Sequence, residues 1–391
     1  MALARCLIFF LGAALVPLLL FSCADASAVG VNYGTVADDL LDPESVVQLL
    51  LDTGITMVRI YDTNATILNA LANKGIKVMV MMPNGDIADA ARSRSYALDW
   101  VRRNVAAYLP DTEINGLAVG NEVFQQAKDL TSKLLPAMVN VQAALAKLGL
   151  DGAVKVTTPV AFDAVGKPSF PPSGARFRDD IAQPVMKPML QFLQRTGSYL
   201  TINPYPFLAV AKEPQNIPLE FALGGYEPGV SDPNTGLVYY SLLDAMRDAA
   251  FFAVENLTEP QMQTMVSGSN VGQSVRPMIY TVMTETGWPS RGQVKLPQDA
   301  EMTSPKAGVN ECPPATVANA KAYNNYVINR VLSGDTGTPR YPDMDMDVYI
   351  FALFNENKKG VGADDSERYY GLFYPDGTKV YDFDFQGTNA K

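Results

Sequence analysis

Two glutamates that each follow an apolar run are the residues of this sequence best placed to do chemistry. Glu285 comes two residues after the run 277–283, and Glu122 follows the run 114–120 and Asn121. Apolar runs of this length predict buried strands, so both carboxylates are expected at strand ends that face a cleft. A pair of carboxyl groups can supply an acid and a nucleophile, and hydrolysis of a glycosidic bond is the leading reaction of that kind. We therefore predict Glu122 and Glu285 as a catalytic pair.

Each glutamate also has a plainer interpretation, as a surface residue at a strand end that pairs with Lys or Arg. The similar construction of the two segments favours chemistry, because two isolated surface residues have no reason to share it. Asn121, immediately before Glu122, is placed to hydrogen-bond a sugar hydroxyl next to the reacting carbon.

The composition excludes several other catalytic mechanisms. The 391 residues include no histidine, which excludes Ser-His-Asp triads, Cys-His dyads and zinc sites built on imidazole. With 41 acidic and 31 basic residues, the net charge of −10 argues against nucleic acid and anionic lipid as partners. We predict no metal and no cofactor, and a neutral or cationic partner such as a polysaccharide.

The N-terminal residues have the pattern of a secretory signal peptide. Arg5 precedes an apolar stretch, 6–21, and small residues then offer cleavage sites of the small-x-small type up to Ala28. A membrane anchor and a lipoprotein acylated on Cys23 are less favoured alternatives, since the apolar stretch is short and Phe21 fits a lipobox poorly. We expect 1–28 to be removed and the mature chain to be a monomer, secreted to the cell wall or extracellular space without a membrane anchor.

If the chain is secreted, disulfide formation and N-glycosylation become relevant to its remaining cysteine and to two sequons. Cys312 is the one cysteine after residue 28, so the mature chain has no internal disulfide, and we expect this thiol to be buried. Asn64-Ala65-Thr66 and Asn256-Leu257-Thr258 match the acceptor pattern for N-linked glycans, a pattern that also arises by chance.

The elements that must position the two glutamates alternate along the chain. Short apolar runs predict strands at 29–33, 57–60, 77–82, 114–121, 155–160, 200–203, 278–285 and 348–354. Amphipathic patterns predict helices at 43–53, 65–73, 97–108, 131–148, 181–196, 239–255 and 315–332. Pro43 and Gly54 are typical of the first position and the C-terminal cap of a helix.

Eight apolar strands alternating with helices indicate a parallel sheet covered by helices. This number of units in 29–391 predicts one domain, an α/β protein with a single (β/α)8 TIM barrel. An open doubly wound sheet is disfavoured because no Gly-x-Gly-x-x-Gly pattern follows the first strand. Long loops at 204–238 and 290–314 are expected at the carboxyl ends of the strands, where barrel enzymes bind substrate.

Aromatic residues at predicted strand ends are candidates to stack on the apolar faces of sugar rings. They are Tyr33, Tyr205, Phe207, Trp288 and Phe354. The alternative is that they fill the core, and it has equal weight for Phe354. Contact with sugar is favoured for Tyr33, Tyr205 and Trp288, which adjoin Gly or Pro turns.

The sequence resembles the plant-type β-1,3-glucanases of glycoside hydrolase family 17 over essentially the whole chain after residue 28. The most specific motif is the segment 284–290, which resembles the segment of the family's nucleophile, and 118–123 resembles the segment of its acid/base. Further resemblance lies at 29–34, 58–62, 78–84, 203–207 and 351–357.

The resemblance implies specific roles. Glu122 would be the acid/base and Glu285 the nucleophile of a retaining double displacement on a β-1,3-glucan. A charged cluster of Glu356, Lys359 and Glu367 would flank the site, hold hydrogen bonds and tune the nucleophile. The segment 360–365 looks longer than usual for the family, which weakens the assignment of Glu367.

Several activities remain open on this pattern. The leading one is endo-hydrolysis of wall glucan such as callose or a laminarin-like polymer. The same site could transfer the glycosyl unit to another sugar, or act from chain ends. A wall protein that binds glucan without cleaving it is the alternative from another class, although it has no need of two poised carboxylates.

Overall fold

Eleven short strands form the framework of the protein, whose computed structural model describes residues 27–262, 279–294 and 314–387. In chain order they are β1 (Val29–Tyr33), β2 (Met57–Ile60), β3 (Lys77–Met82), β4 (Glu113–Val119), β5 (Lys155–Thr157), β6 (Pro159–Ala161), β7 (Leu200–Asn203), β8 (Val230–Ser231), β9 (Val238–Tyr239), β10 (Thr281–Thr286) and β11 (Val348–Ile350). Strands β8 and β9 form a separate antiparallel hairpin, and the other nine form one parallel sheet.

The order of strands in that sheet is β5-β4-β3-β2-β1-β11-β10-β7-β6. Its two terminal strands, β5 and β6, are consecutive in the chain and separated by Thr158 alone. Strand β5 pairs with β4 and β6 pairs with β7, so one stretch of chain joins both ends of the sheet. The sheet therefore closes almost completely into a ring with eight positions, and the predicted (β/α)8 barrel is confirmed.

Side-chain hydroxyls bridge the place where the sheet closes. Three of them donate to backbone carbonyl oxygens between the segments 156–158 and 198–201: Ser198 Oγ to Val156 at 2.6 Å, Thr201 Oγ1 to Thr158 at 2.6 Å, and Thr157 Oγ1 to Tyr199 at 3.0 Å. Because β5 and β7 share no strand pairing, these bonds satisfy backbone acceptors that a regular ladder would otherwise satisfy.

Helices surround the ring. The α-helices are Pro43–Thr53, Ala65–Ala70, Ile87–Arg92, Arg94–Val101, Val123–Gln126, Thr131–Lys147, Asp179–Ile181, Lys187–Thr196, Pro206–Lys212, Leu219–Leu223, Leu242–Met262 and Val317–Ser333. Two π-helical stretches, Arg102–Ala106 and Ala182–Met186, and five 3-10 turns, Asn84–Asp86, Lys128–Leu130, Phe162–Ala164, Pro172–Gly174 and Ser366–Arg368, complete the elements. Within the described ranges no helix is both long and apolar enough to cross a bilayer.

The first helix shows why the sequence begins and ends helices where it does. Asp42 caps the helix by accepting from the Ser45 backbone N–H at 3.0 Å, and Pro43 occupies the first turn, where no backbone donor is needed. Gly54 ends the helix in the left-handed conformation, with φ of +81°. The predicted roles of Pro43 and Gly54 are confirmed.

Several predicted boundaries were wrong. The strand predicted at 155–160 is two strands, because Thr158 changes the pairing from β4 to β7. The strand predicted at 348–354 ends at Ile350, since the next backbone N–H groups donate to Thr286 and Tyr370. The loop predicted at 204–238 contains two helices and most of the hairpin. Residues 1–26, Cys312 and most of the loop predicted at 290–314 lie outside the described residues.

Candidate active site

Parallel strands bring their carboxyl ends to one face of the barrel, and the candidate residues gather there. Glu285 is the fifth residue of β10, and Glu122 follows β4 by three residues. Arg59 lies in β2, Tyr61 directly follows that strand, and Asn203 ends β7. This is the face on which barrel enzymes place their active sites.

Three donors surround the carboxylate of Glu285, which is only 6% exposed. Arg59 Nη1 lies 2.6 Å from Oε1 and Tyr61 donates to the same oxygen at 2.9 Å, while Tyr205 donates to Oε2 at 2.7 Å. Burial, and then the charge of Glu285, raises the pKa of both tyrosines well above the ordinary value, so they keep their protons and remain donors. Both oxygens of Glu285 therefore have a donor, and the bond from the guanidinium is of the strong, charge-assisted kind.

Glu122 lies on a backbone conformation that side chains rarely adopt. Its φ is +48° and its ψ is +41°, in the left-handed region. The Glu122 N–H donates to the Pro159 carbonyl at 2.9 Å. One residue earlier, the Asn121 N–H donates to Asn84 Oδ1 at 2.8 Å, and Asn84 Nδ2 donates back to the Asn121 carbonyl at 3.1 Å. Strained residues that are held in this way are concentrated at functional sites.

The carboxyl group of Glu122 has different donors, since it accepts from two side-chain amides and not from a guanidinium or a phenol. Asn203 Nδ2 donates to Oε1 at 2.8 Å and Gln126 Nε2 donates to Oε2 at 2.7 Å. Burial, with the charge of Glu285 as the second cause, nevertheless raises the pKa of Glu122 to about 7, and the two amides and Arg59 oppose the rise. Glu122 therefore holds a proton under mildly acidic conditions.

Arg59 connects the two halves of the site. Its side chain is fully buried, and Nη2 lies 2.6 Å from Asn121 Oδ1, while Nη1 contacts both Glu285 and the Thr284 carbonyl. Burial alone disfavours the charged guanidinium, but Tyr61 and Glu285 outweigh it and raise the pKa of Arg59. The cation thus orients Asn121 beside Glu122 and neutralises Glu285.

Three residues of the site, Arg59, Tyr61 and Asn203, were not predicted from the sequence. Arg59 carried a usable signal, because it is the one charged residue in an otherwise apolar strand. Asn203, which ends β7, also accepts from Thr284 Oγ1 at 2.7 Å, so it bridges the segments of both glutamates.

The three residues of the charged cluster lie together. Lys359 Nζ is 3.5 Å from Glu356 Oε2 and 4.0 Å from Glu367 Oε2, and it stands 3.9 Å from the centre of the Phe351 ring. Glu356 is buried, and its carboxylate lies where a side chain on Gly34 would be, only 2.5 Å from a Cβ built there. A side chain at residue 34 would therefore displace this carboxylate from its present position.

Three aromatic residues that were predicted to stack on sugar rings are buried in the core. Trp288 is 0%, Phe207 1% and Tyr33 3% exposed, so none offers a ring face to a ligand, and the stacking prediction was wrong for all three. Trp288 packs between Phe207 and Tyr323 and donates from Nε1 to the Pro314 carbonyl at 2.7 Å. Their positions beside turns suggested exposure, but the chain folds back over each ring.

Tyr205 and Phe354 have other surroundings. Tyr205 is half-buried, directs its hydroxyl at Glu285 and packs edge-on against Phe351 and Tyr370. Phe354 is buried against Tyr33 and Phe373, so its core interpretation is the correct one. Among the described residues, no group of three or more Asp, Glu or Cys side chains is arranged to hold a metal ion.

Comparison with known proteins agrees with this geometry. The model of the family described as glycosyl hydrolases family 17 matches residues 29–385. The chain belongs to this family. Among curated relatives of this family 17 chain, glucan endo-1,3-beta-glucosidase 12 of Arabidopsis thaliana is 38% identical over 385 residues, which is 98% of this chain and 64% of the relative. The chain thus spans slightly less than two thirds of that relative's length.

Two solved structures resemble the family 17 chain over their whole length. CJP38, a beta-1,3-glucanase and pollen allergen of Cryptomeria japonica, has a TM-score of 0.77 and 37% identity, covering 92% of this chain and 99% of that one. One of two plant beta-glucan endohydrolases with distinct substrate specificities has a TM-score of 0.74 and 35% identity, covering 91% and 100%.

The burial of Trp288 predicts a structural effect of its loss. We expect Trp288→Ala to lower the free energy of unfolding by about 3–5 kcal/mol, because it leaves a cavity between Phe207 and Tyr323. Urea unfolding measures this change in free energy. Because Trp288 offers no ring face to a ligand, we expect the KM for the substrate to change little. A large rise in KM with unchanged stability would instead restore a role in substrate contact.

Proposed function

We propose that this chain is a secreted endo-β-1,3-glucanase that cleaves internal bonds of cell-wall glucan by a retaining double displacement. The observation that carries the proposal is the contrast between the surroundings of its two carboxyl groups, those of the buried Glu285 and of the half-buried Glu122. Three donors contact the carboxylate oxygens of Glu285, whereas burial raises the pKa of Glu122 to about 7. Carboxyl groups with such different environments are suited to the two roles of a glycosidase.

In the first displacement, a Glu285 oxygen attacks the anomeric carbon and the bond from that carbon to the glycosidic oxygen breaks. Glu122 gives its proton to the departing oxygen, so the leaving sugar departs as a neutral alcohol. Positive charge builds up on the sugar in the transition state, and the ionised Glu285 beside it stabilises that charge. Asn121, oriented by Arg59 and Asn84, is placed to hold a hydroxyl of the same sugar.

In the second displacement, Glu122 is a carboxylate and takes a proton from water as that water attacks the anomeric carbon. The bond to Glu285 breaks, and its carboxylate regains the bonds from Arg59, Tyr61 and Tyr205. The pKa of Glu122 suits both steps, because a value near neutrality lets one group donate and then accept a proton. The cluster of Glu356, Lys359 and Glu367 supports the site through its charges.

The substrate and the location rest on the relatives and on the sequence. The relatives above are named as glucan endo-1,3-beta-glucosidases or beta-1,3-glucanases. Callose or a laminarin-like polymer fits these names, and a neutral polysaccharide suits a chain with net charge −10. The leader pattern of 1–28 supports secretion to the wall, where such a polymer is met.

Incubation of the purified protein with laminarin, followed by chromatography of the products over time, tests the proposal. We expect a ladder of short oligosaccharides early in the reaction, and no products from a β-1,4-glucan control. Release of glucose alone would indicate attack from chain ends, and products longer than a defined oligosaccharide substrate would indicate transfer. No products from folded protein between acidic and neutral pH would contradict the enzyme proposal and favour a binding role.

A further inference from the structure

The two N-glycosylation sequons occupy opposite surroundings in the folded chain. We propose that Asn64 carries an N-linked oligosaccharide on the face of the barrel that holds the site, and that Asn256 is unmodified in the folded protein. The inference requires that the chain enters a eukaryotic secretory pathway, but it does not depend on catalytic activity.

Asn64 can accept a glycan without losing any structural bond. The residue is exposed, and its side-chain oxygen caps the helix Ala65–Ala70 by accepting from the backbone N–H groups of Thr66 at 2.9 Å and Ile67 at 3.3 Å. N-glycosylation modifies Nδ2 and leaves Oδ1 unchanged, so cap and glycan use different atoms. In the described part of the chain, Nδ2 of Asn64 donates no hydrogen bond. Thr66, the hydroxyl residue of the sequon that the transferase must also recognise, is exposed as well.

Asn256 lies in the helix Leu242–Met262 and its amide nitrogen is already engaged. Asn256 Nδ2 donates to the carbonyl of the buried Ala175 at 2.9 Å, where this helix packs against the turn Pro172–Gly174. Asn256 itself is half-buried, and the other two residues of the sequon are buried, since Leu257 is 8% and Thr258 6% exposed. A glycan on this nitrogen would stand between the helix and the turn, so a chain modified there could not reach this fold.

The position of Asn64 also places its glycan relative to the site. Asn64 comes three residues after Tyr61, whose hydroxyl donates to Glu285. Three residues span at most about 11 Å, so the attachment point is on the same face as the carboxylate pair. The Asn64 N–H donates to Asp62 Oδ1 at 2.9 Å, which fixes the turn that carries the attachment point.

The modification needs one co-reactant, an oligosaccharide joined to a lipid pyrophosphate. Asn64 Nδ2 attacks the anomeric carbon of the first sugar, forming a carbon–nitrogen bond, and the bond from that carbon to the pyrophosphate oxygen breaks. The lipid pyrophosphate leaves, and the amide proton passes to a base of the transferase. No oxidation or reduction takes place.

Expression of the full chain in a eukaryotic secretory host, with intact-mass and glycopeptide analysis, tests the proposal. We expect the wild-type protein to carry one glycan, attached to Asn64. Thr66→Ala and Asn64→Asp should both remove that mass, and both keep a side-chain oxygen at residue 64 to cap the helix. Thr258→Val, which destroys the second sequon with little change of shape, is the matched control and should keep the full mass.

Two outcomes would overturn the proposal. One is a wild-type chain, in medium and cell lysate alike, without a glycan on residue 64. The other is folded protein that loses a glycan in Thr258→Val or Asn256→Asp. Analysis of both fractions ensures that retention in the cell does not hide the result, and a cooperative unfolding transition shows which molecules are folded.

Discussion

Glu285→Ala is expected to lower kcat on laminarin by about 10⁴–10⁶-fold, because it removes the proposed nucleophile. Added azide should then restore cleavage of an activated β-glucoside by entering the space left by the carboxylate. Its product should be a glucosyl azide of inverted configuration, since a single displacement inverts the anomeric centre once. Product configuration by proton NMR, together with the rate, provides the measurement.

A matched variant separates loss of the nucleophile from loss of a buried charge. Glu255 is another largely buried glutamate that accepts hydrogen bonds from an arginine and a tyrosine, Arg340 and Tyr341, but it lies in the helix Leu242–Met262. Glu255→Gln should therefore keep most of the activity. Full activity of Glu285→Ala, or equal loss in both variants, would contradict the assignment.

Glu122→Gln is expected to have the second largest effect, and its size should depend on the leaving group. Cleavage of laminarin needs protonation of the departing oxygen, so we expect kcat to fall about 10²–10⁴-fold. Dinitrophenolate departs from a dinitrophenyl glucoside without needing a proton, so the rate of the first displacement on that substrate should change little. Burst kinetics with that substrate, beside steady-state rates on laminarin, separate the two steps. Equal losses on both substrates would contradict an acid role for Glu122.

The pH profile of the same variant gives an independent check. Because the raised pKa of Glu122 is about 7 and the acid must be protonated, kcat/KM of the wild type should fall as the pH rises through about 7. In Glu122→Gln this fall of kcat/KM, the alkaline limb of the profile, should be absent. Gln126→Leu should move the limb to higher pH, since a donor that favours the carboxylate is removed. A limb that persists unchanged in Glu122→Gln would belong to another group.

Sequence patterns predicted the parts of the fold that depend on local order. Strands β1, β2, β3 and β7 have the predicted bounds, since apolar runs between turn residues define strands well. The division at Thr158 could not be predicted, because it depends on which strands lie on either side of it in space. The barrel itself followed from the number of alternating units rather than from any one boundary.

The site shows the same division between local and spatial information. Glu122 and Glu285 could be chosen as candidates because each follows an apolar run, a signal contained in the sequence. The burial of Trp288 and Tyr33 could not, because residues distant in the chain cover them. The importance of Arg59 also required the structure, since its partners Asn121 and Glu285 lie 62 and 226 residues away.

Closure of the sheet into a ring covers strand edges through which other chains could pair with the protein. A sheet that ends leaves unpaired N–H and C=O groups along its last strand, and other chains can pair with them and aggregate. Here the pairing of β6 with β7 and the continuation of β5 into β6 close the ring, and the hydroxyls of Ser198, Thr157 and Thr201 add hydrogen bonds at that place. We therefore expect loss of these hydroxyls to weaken the closure locally, while the β6–β7 pairing still holds the ring together.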